Sequence, residues 1–288
     1  MTMRTDCAAI STSNLIDRAL AHPTPRPVHF AHANGYPPGC YRQLIDALPV
    51  DGPMLAMPFR PLMPGTSPHE LKDWHDLVDD LITWLDQHSF QGGIGIGHSL
   101  GGVVTLLAAS RRPDLFHRIV LLDPVLLPRR IYTIKSLMPR ILHERLIPLS
   151  RIARKRRYRW KSREDAWAHL RPKRVFGRIS DAVFRDMLEA MLVEEPDGSC
   201  RLAFSKEWES RIYATVTFPW QAIRRVNVPM LVVRGADSDT ILPRSWSRLQ
   251  RIRPDVRYAS IVDAGHLFPL EKPAEVAELI RQEIVAGL

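Results

Sequence analysis

The chain has 288 residues, 45% hydrophobic and 25% charged, which excludes a disordered or fibrous protein and leaves room for one large domain or one domain with an insertion. No run approaches the roughly 20 apolar residues that span a bilayer, and three separated cysteines, Cys7, Cys40 and Cys200, offer neither a disulfide framework nor a zinc site. The formal charge is +9, yet residues 129–178 alone carry 17 Lys/Arg against three acids, so a basic segment is set into a mildly acidic chain.

Residues 1–25 hold many hydroxyl side chains and no sustained apolar stretch, so they read as a loosely structured lead-in and not as a signal peptide. A cytoplasmic protein is the resulting expectation. The first strand-like run is "VHFA" (28–31), and it opens into the loop "FAHANGYPPG" (30–39), in which Gly35 permits close backbone approach. His29 and His32 have no third ligand at metal spacing, which argues against a metal site. A second short apolar run, "MLAM" (54–57), follows. In "HELKDWHDLVDDLITWLDQH" (69–88), Leu71, Trp74, Leu77, Val78, Leu81, Ile82 and Leu85 recur at three/four spacing, and Asp73, Asp76, Asp79 and Asp80 lie opposite them. That spacing predicts an amphipathic helix.

Next comes "GGIGIGHSLGGVV" (92–104), a strand-like run that turns into a helix-like one through Gly97-His98-Ser99-Leu100-Gly101. Glycine weakens a strand, so the crowding needs a geometric reason. G-x-S-x-G between a strand and a helix supplies it: a tight turn that leaves no room for bulk two residues either side and projects the serine hydroxyl from the sheet edge. The run "IVLL" (119–122) then leads into Asp123-Pro124, read as a turn or helix-cap position.

Strand–helix alternation stops after Leu122 and resumes near Pro229, so residues 126–215 are expected to form a basic helical cap, flanked by a core of 26–125 and 216–288. The insertion leaves from the C-terminal end of a strand, the edge where open α/β sheets bind ligands. Its densest charge is "RIARKRRYRWKSR" (151–163). The plain reading is a solvated helix face whose Arg stems cover apolar surface. An anionic or lipid-like substrate or a membrane surface stays open beside it, and no nucleic acid is expected, for want of a recognisable binding module.

The last strand-like runs are "MLVV" (230–233) and "YASIV" (258–262), each followed by a loop with chemistry in it. A serine becomes nucleophilic when a histidine, itself oriented by a carboxylate, takes its proton. His266, in "DAGHLFPLEKP" before the closing helix from Pro273, is the expected base. The acid is expected in "RGADSDTILP": Asp239 is favoured, Asp237 shapes the turn, and Asp123 ranks third. A developing oxyanion needs backbone donors, assigned to the amides of Leu100 and Tyr36. His32, Asn34 and His98 are candidate substrate contacts.

With "HANGYP", "GHSLGG", "RGADSDTILP" and "AGHLFPLEKP" in this order, the chain resembles the α/β-hydrolase superfamily over residues 28–288 outside the insertion. The resemblance implies a predominantly parallel eight-stranded sheet flanked by helices, a cap, and a Ser99–Asp239–His266 triad acting on a small acyl substrate without a cofactor. The segment before Val28 is short and polar for a pair of opening strands. A serine at the elbow argues against the aspartate-dependent branches and leaves ester or thioester hydrolysis, acyl transfer and carbon–carbon hydrolysis. A binding protein that retains the pocket is the rival from outside enzymology.

Overall fold

The computed structural model describes residues 26–48 and 52–285; the lead-in expected over 1–25 lies outside them. In chain order come β1 (Val28–Ala31), α1 (Arg42–Asp46), β2 (Met54–Leu55), α2 (Trp74–Gln87), β3 (Gly93–His98), α3 (Leu100–Arg111) and β4 (Phe116–Leu122). The insertion carries α4 (Arg129–Leu137), α5 (Arg140–Leu146), α6 (Pro148–Lys155), β5 (Arg159–Trp160), α7 (Arg163–Leu170), α8 (Asp181–Met191), β6 (Leu192–Glu194), β7 (Cys200–Leu202) and α9 (Lys206–Ala214). The chain returns through α10 (Trp220–Arg225), β8 (Met230–Gly235), α11 (Pro243–Ile252), β9 (Arg257–Ile261), α12 (Phe268–Glu271) and α13 (Pro273–Val285).

Six strands form one sheet in the order β2-β1-β3-β4-β8-β9, and every pairing is parallel. The eight strands implied by the resemblance are thus six among the described residues. The continuous apolar runs have a simple cause. Ile119, Leu121, Met230 and Val232 enter the core on one face, while Val120, Leu122, Leu231 and Val233 enter the core on the other. Side chains alternate across a sheet, so a strand covered on both faces must be apolar at every position.

Helix α2 packs on the first face with Trp74, Leu77, Val78, Leu81 and Leu85 buried. It begins five residues later than its periodicity suggests, because Asp73 caps it: the Asp73 carboxylate accepts from the His75 amide at 2.7 Å and Asp76 reaches back to complete a capping box. Such a cap is worth about 1 kcal/mol, enough to set the boundary.

The insertion differs from the all-helical expectation. Between its helices sits a three-stranded antiparallel sheet, β5-β7-β6. The turn joining β6 to β7 is Glu195-Pro196-Asp197-Gly198, closed by Gly198 N–H on the Glu195 carbonyl (2.9 Å) with Gly198 at φ +79°. Pro-Asp-Gly is a turn signal with a mechanism, since proline presets φ and glycine accepts the left-handed position.

Candidate active site

Parallel strands deliver their C-terminal ends to one edge, and the three neighbours β3, β4 and β8 each end there in a polar residue or loop. Ser99 follows β3 immediately, at φ 55° and ψ −112°. A non-glycine residue at positive φ is strained, and the surrounding glycines show what maintains it. A Cβ on Gly97 would lie 2.4 Å from the Gly101 carbonyl oxygen, and one on Gly101 would lie 2.1 Å from that of Ala31. Strand β3, helix α3 and the end of β1 therefore touch backbone to backbone around the serine.

The Ser99 hydroxyl is 3.0 Å from His266 Nε2. On the other side of the ring, His266 Nδ1–H donates to Asp123 Oδ2 at 2.6 Å. Asp123 is fully buried, sits at φ 45°, and its amide donates to the Val233 carbonyl at 2.7 Å, which ties the end of β4 to β8. The same Oδ2 accepts a short hydrogen bond from the Ser238 hydroxyl, and that hydroxyl accepts from the Thr240 amide at 3.1 Å. A carboxylate on Nδ1 fixes the proton there and leaves the Nε2 lone pair facing the serine.

This corrects the assignment of the acid. Asp239 is exposed, and among the described residues no hydrogen bond or ion pair joins it to His266. Asp237 is also exposed, paired with Arg178 at 2.7 Å. The loop after β8 contributes Ser238 to the site instead, as the residue that holds Asp123.

The turn after β1 brings a second correction. The Tyr36 amide, expected as an oxyanion donor, closes a turn onto the Ala33 carbonyl (3.2 Å), with Gly35 at φ +82°. The Leu100 amide opens α3, in the first helical turn whose N–H groups lack intrahelical acceptors.

Of the three candidate substrate contacts, His32 and His98 are fully buried and committed to structure. His32 Nδ1–H donates to the Ala33 carbonyl (2.8 Å), and its Nε2 accepts from the Phe59 amide (3.1 Å). Burial holds its pKa down to about 4. His98 Nδ1 meets the Tyr41 hydroxyl at 2.7 Å, and its Nε2 meets the carbonyl of His266 at 2.9 Å. Burial and the neighbouring His266 hold His98 neutral, so Nε2–H donates and Nδ1 accepts. The Tyr41 hydroxyl in turn accepts from the Ala33 amide at 3.3 Å. Tyr41 and His98, a pair that sequence reasoning missed, thus link the β1 turn, the serine's own strand and the histidine loop. The one local signal for them was the histidine inside G-H-S.

Asn34 reaches the insertion. Its Nδ2 donates to the Glu209 carbonyl on α9 at 3.2 Å, while its buried Oδ1 has no partner. The Glu209 carboxylate pairs with Arg156 at 2.7 Å, and a Cβ on Gly35 would stand 3.6 Å from its carboxyl carbon. Burial pushes the Glu209 carboxyl up, against the opposing pull of Arg156 and Lys173. Charged groups of the insertion therefore lie directly over the turn beside Ser99.

Comparison with known proteins identifies the family. A family model described as "Alpha/beta hydrolase family" matches residues 30–279. The chain is 27% identical over 222 residues to the sn-1-specific diacylglycerol lipase ABHD11 of Mus musculus, covering 75% of this chain and 67% of that protein. It is 24% identical over 221 residues to strigolactone esterase D14 of Arabidopsis thaliana, covering 72% and 71%. Among solved structures, E-2-(acetamidomethylene)succinate hydrolase has a similar fold, with a TM-score of 0.74 at 20% identity and coverage of 90% and 91%.

Proposed function

The chain belongs to the α/β-hydrolase family, and on that footing we propose that it is a serine hydrolase of a carboxylic ester or related acyl bond, with Ser99, His266 and Asp123 as its triad. The observation that carries this reading is the unbroken line from Ser99 Oγ to His266 Nε2 (3.0 Å) and from His266 Nδ1 to Asp123 (2.6 Å).

The chemistry runs in two halves. His266 Nε2 accepts the serine proton as Ser99 Oγ attacks the carbonyl carbon, and Asp123 stabilises the imidazolium that forms. The tetrahedral oxyanion is met by the Leu100 amide and by an amide of the Asn34–Gly35 turn, in place of Tyr36. Donors of this kind contribute about 3–4 kcal/mol each to lowering the barrier. His266 then gives its proton to the leaving group. Water, activated by the same imidazole, resolves the acyl-enzyme. Residues 126–215 act as the cap, a role supported by the contact between Asn34 and Glu209. The substrate is a small acyl compound whose carbonyl carbon meets Ser99 Oγ beside the β1 turn.

The test is hydrolysis of p-nitrophenyl esters from acetate to palmitate, with active-site labelling by a fluorophosphonate. Turnover and labelling that vanish in Ser99→Ala support the reading, and the chain-length optimum sizes the pocket. Turnover undiminished in Ser99→Ala would overturn it.

A further inference from the structure

Half of the large hydrophobic side chains that are exposed among the described residues fall within 22 positions of the insertion: Ile131, Ile134, Leu137, Leu146, Leu149 and Ile152. Single exposed aliphatics are ordinary; six on three consecutive helices are not. Leu137 is 82% exposed, Ile152 64% and Ile134 61%. All six are aliphatic.

The helices that carry them are anchored from within. Tyr132 of α4 is buried edge-on against Phe218, at 5.0 Å between ring centroids. On α6, Ala153 is buried and the Ser150 hydroxyl bonds that of Ser210 on α9 at 2.7 Å. The aliphatic side chains are thus the outer face of packed helices.

Charge decides what such a face fits. Residues 129–157 hold ten Lys/Arg and one acid, Glu144, a net of +9 that equals the charge of the whole chain. Glu144 is already paired with Arg154 and Arg211. Arg156 and Arg157 pair with Glu209 and Asp165, and a second copy seated face to face would still set a strongly cationic segment against itself. The acidic face of α2 is already paired, Asp79 with Arg111, Asp80 with Arg60 and Asp86 with Arg112. Nucleic acid would satisfy the charge but leave the aliphatic side chains without a role, since bases are gripped by aromatic and planar groups. An anionic lipid surface satisfies both halves: aliphatic residues enter the acyl boundary while Arg and Lys stay at headgroup level.

We propose that the outer face of α4, α5 and α6 is a membrane-docking surface that seats this protein peripherally on anionic lipid. No helix among the described residues is long and apolar enough to cross a membrane, so attachment is reversible and weakens with salt. Docking there places the segment over Ser99 against the bilayer. The inference does not depend on the serine chemistry.

The experiment is co-sedimentation of the full chain with vesicles of pure phosphatidylcholine or with about one-third phosphatidylserine added. The expected result is partition onto the anionic vesicles that falls at high salt, equal binding by Ser99→Ala, and a loss of at least about tenfold in the double variant Ile134→Ser/Leu137→Ser. These positions are exposed, and circular dichroism with a thermal melt checks that the variant is folded. Three outcomes overturn the proposal: no partition onto either vesicle, partition unaffected by the double variant, or a dimer in sedimentation equilibrium that the double variant dissociates while vesicles are ignored.

Discussion

Asp123 and His266 are 143 positions apart in the chain and meet at 2.6 Å, the carboxylate wholly buried and the imidazole a quarter exposed. The relationship follows from strand order. Strand β4 lies between β3, which delivers Ser99, and β8, so a residue at its C-terminal end stands closer to the middle of the site than the exposed end of the β8 loop. Ser238 then completes the arrangement by donating to the same carboxylate oxygen.

The assignment of the acid is open to a direct comparison. Asp123→Asn removes the acceptor that holds the Nδ1 proton and is expected to lower kcat by about 10⁴-fold. Asp237→Asn and Asp239→Asn should stay within a few-fold of wild type on the same ester. A large loss at Asp239 with Asp123 spared would reverse the assignment. Ser238→Ala should fall between, with kcat down about 10–100-fold and KM little changed, since hydrogen bonds to charged groups contribute about 1.5–3 kcal/mol.

Tyr41 is expected to position the catalytic loops without touching substrate. Tyr41→Phe strands the Ala33 amide and His98 Nδ1 in the core, at an expected cost of about 1–3 kcal/mol in stability. Because His98 holds the His266 carbonyl, kcat should drop more than KM changes. A variant that loses stability but keeps wild-type kcat at low temperature would confine Tyr41 to folding.

Gly97 and Gly101 should tolerate no side chain. Alanine at either puts a Cβ within 2.4 Å or 2.1 Å of backbone oxygen, and backbone cannot yield as a side-chain end does. Overpacking costs about 1–3 kcal/mol or more, so thermal melting of Gly101→Ala should show a large drop or no folded protein. Gly198→Ala is a control of another kind: its space is open and its cost comes from φ +79° alone, about 1 kcal/mol.

Stability should fall with acid before the carboxylates titrate. Burial brings His29 down to about 3 and His32 to about 4, while both would titrate near 6.5 unfolded. Between these values the unfolded chain binds more protons than the folded one, so stability is complete above about pH 6.5 and declines as pH falls toward 4. His32 alone corresponds to ~3 kcal/mol across that window. Urea midpoints measured from pH 7.5 to 4.5 should decrease steadily below 6.5; a flat profile would show that these histidines are solvated in the native state.

What the sequence by itself determined is local. The sheet order apart, the four inner strands β1, β3, β4 and β8 were visible as apolar runs because burial on both faces demands them. The edge strands β2 and β9 are only partly buried and left weaker signals. Ser99 was legible because a strained turn excludes side chains on both sides of it, a requirement written in neighbouring glycines. His266 was legible from its place between the last strand and the closing helix. The Pro-Asp-Gly turn at 196–198 is a local hairpin signal, which the expectation of an all-helical insertion left unused. What tertiary structure decided is which distant groups share one position in space. Three carboxylates end at the same sheet edge, and only the packing of β4 between β3 and β8 chose Asp123. A single turn hydrogen bond occupied the Tyr36 amide. Two histidines that read as substrate contacts in their loops became buried struts, because their partners, Phe59 and Tyr41, lie across the core, at sequence separations that no local pattern records.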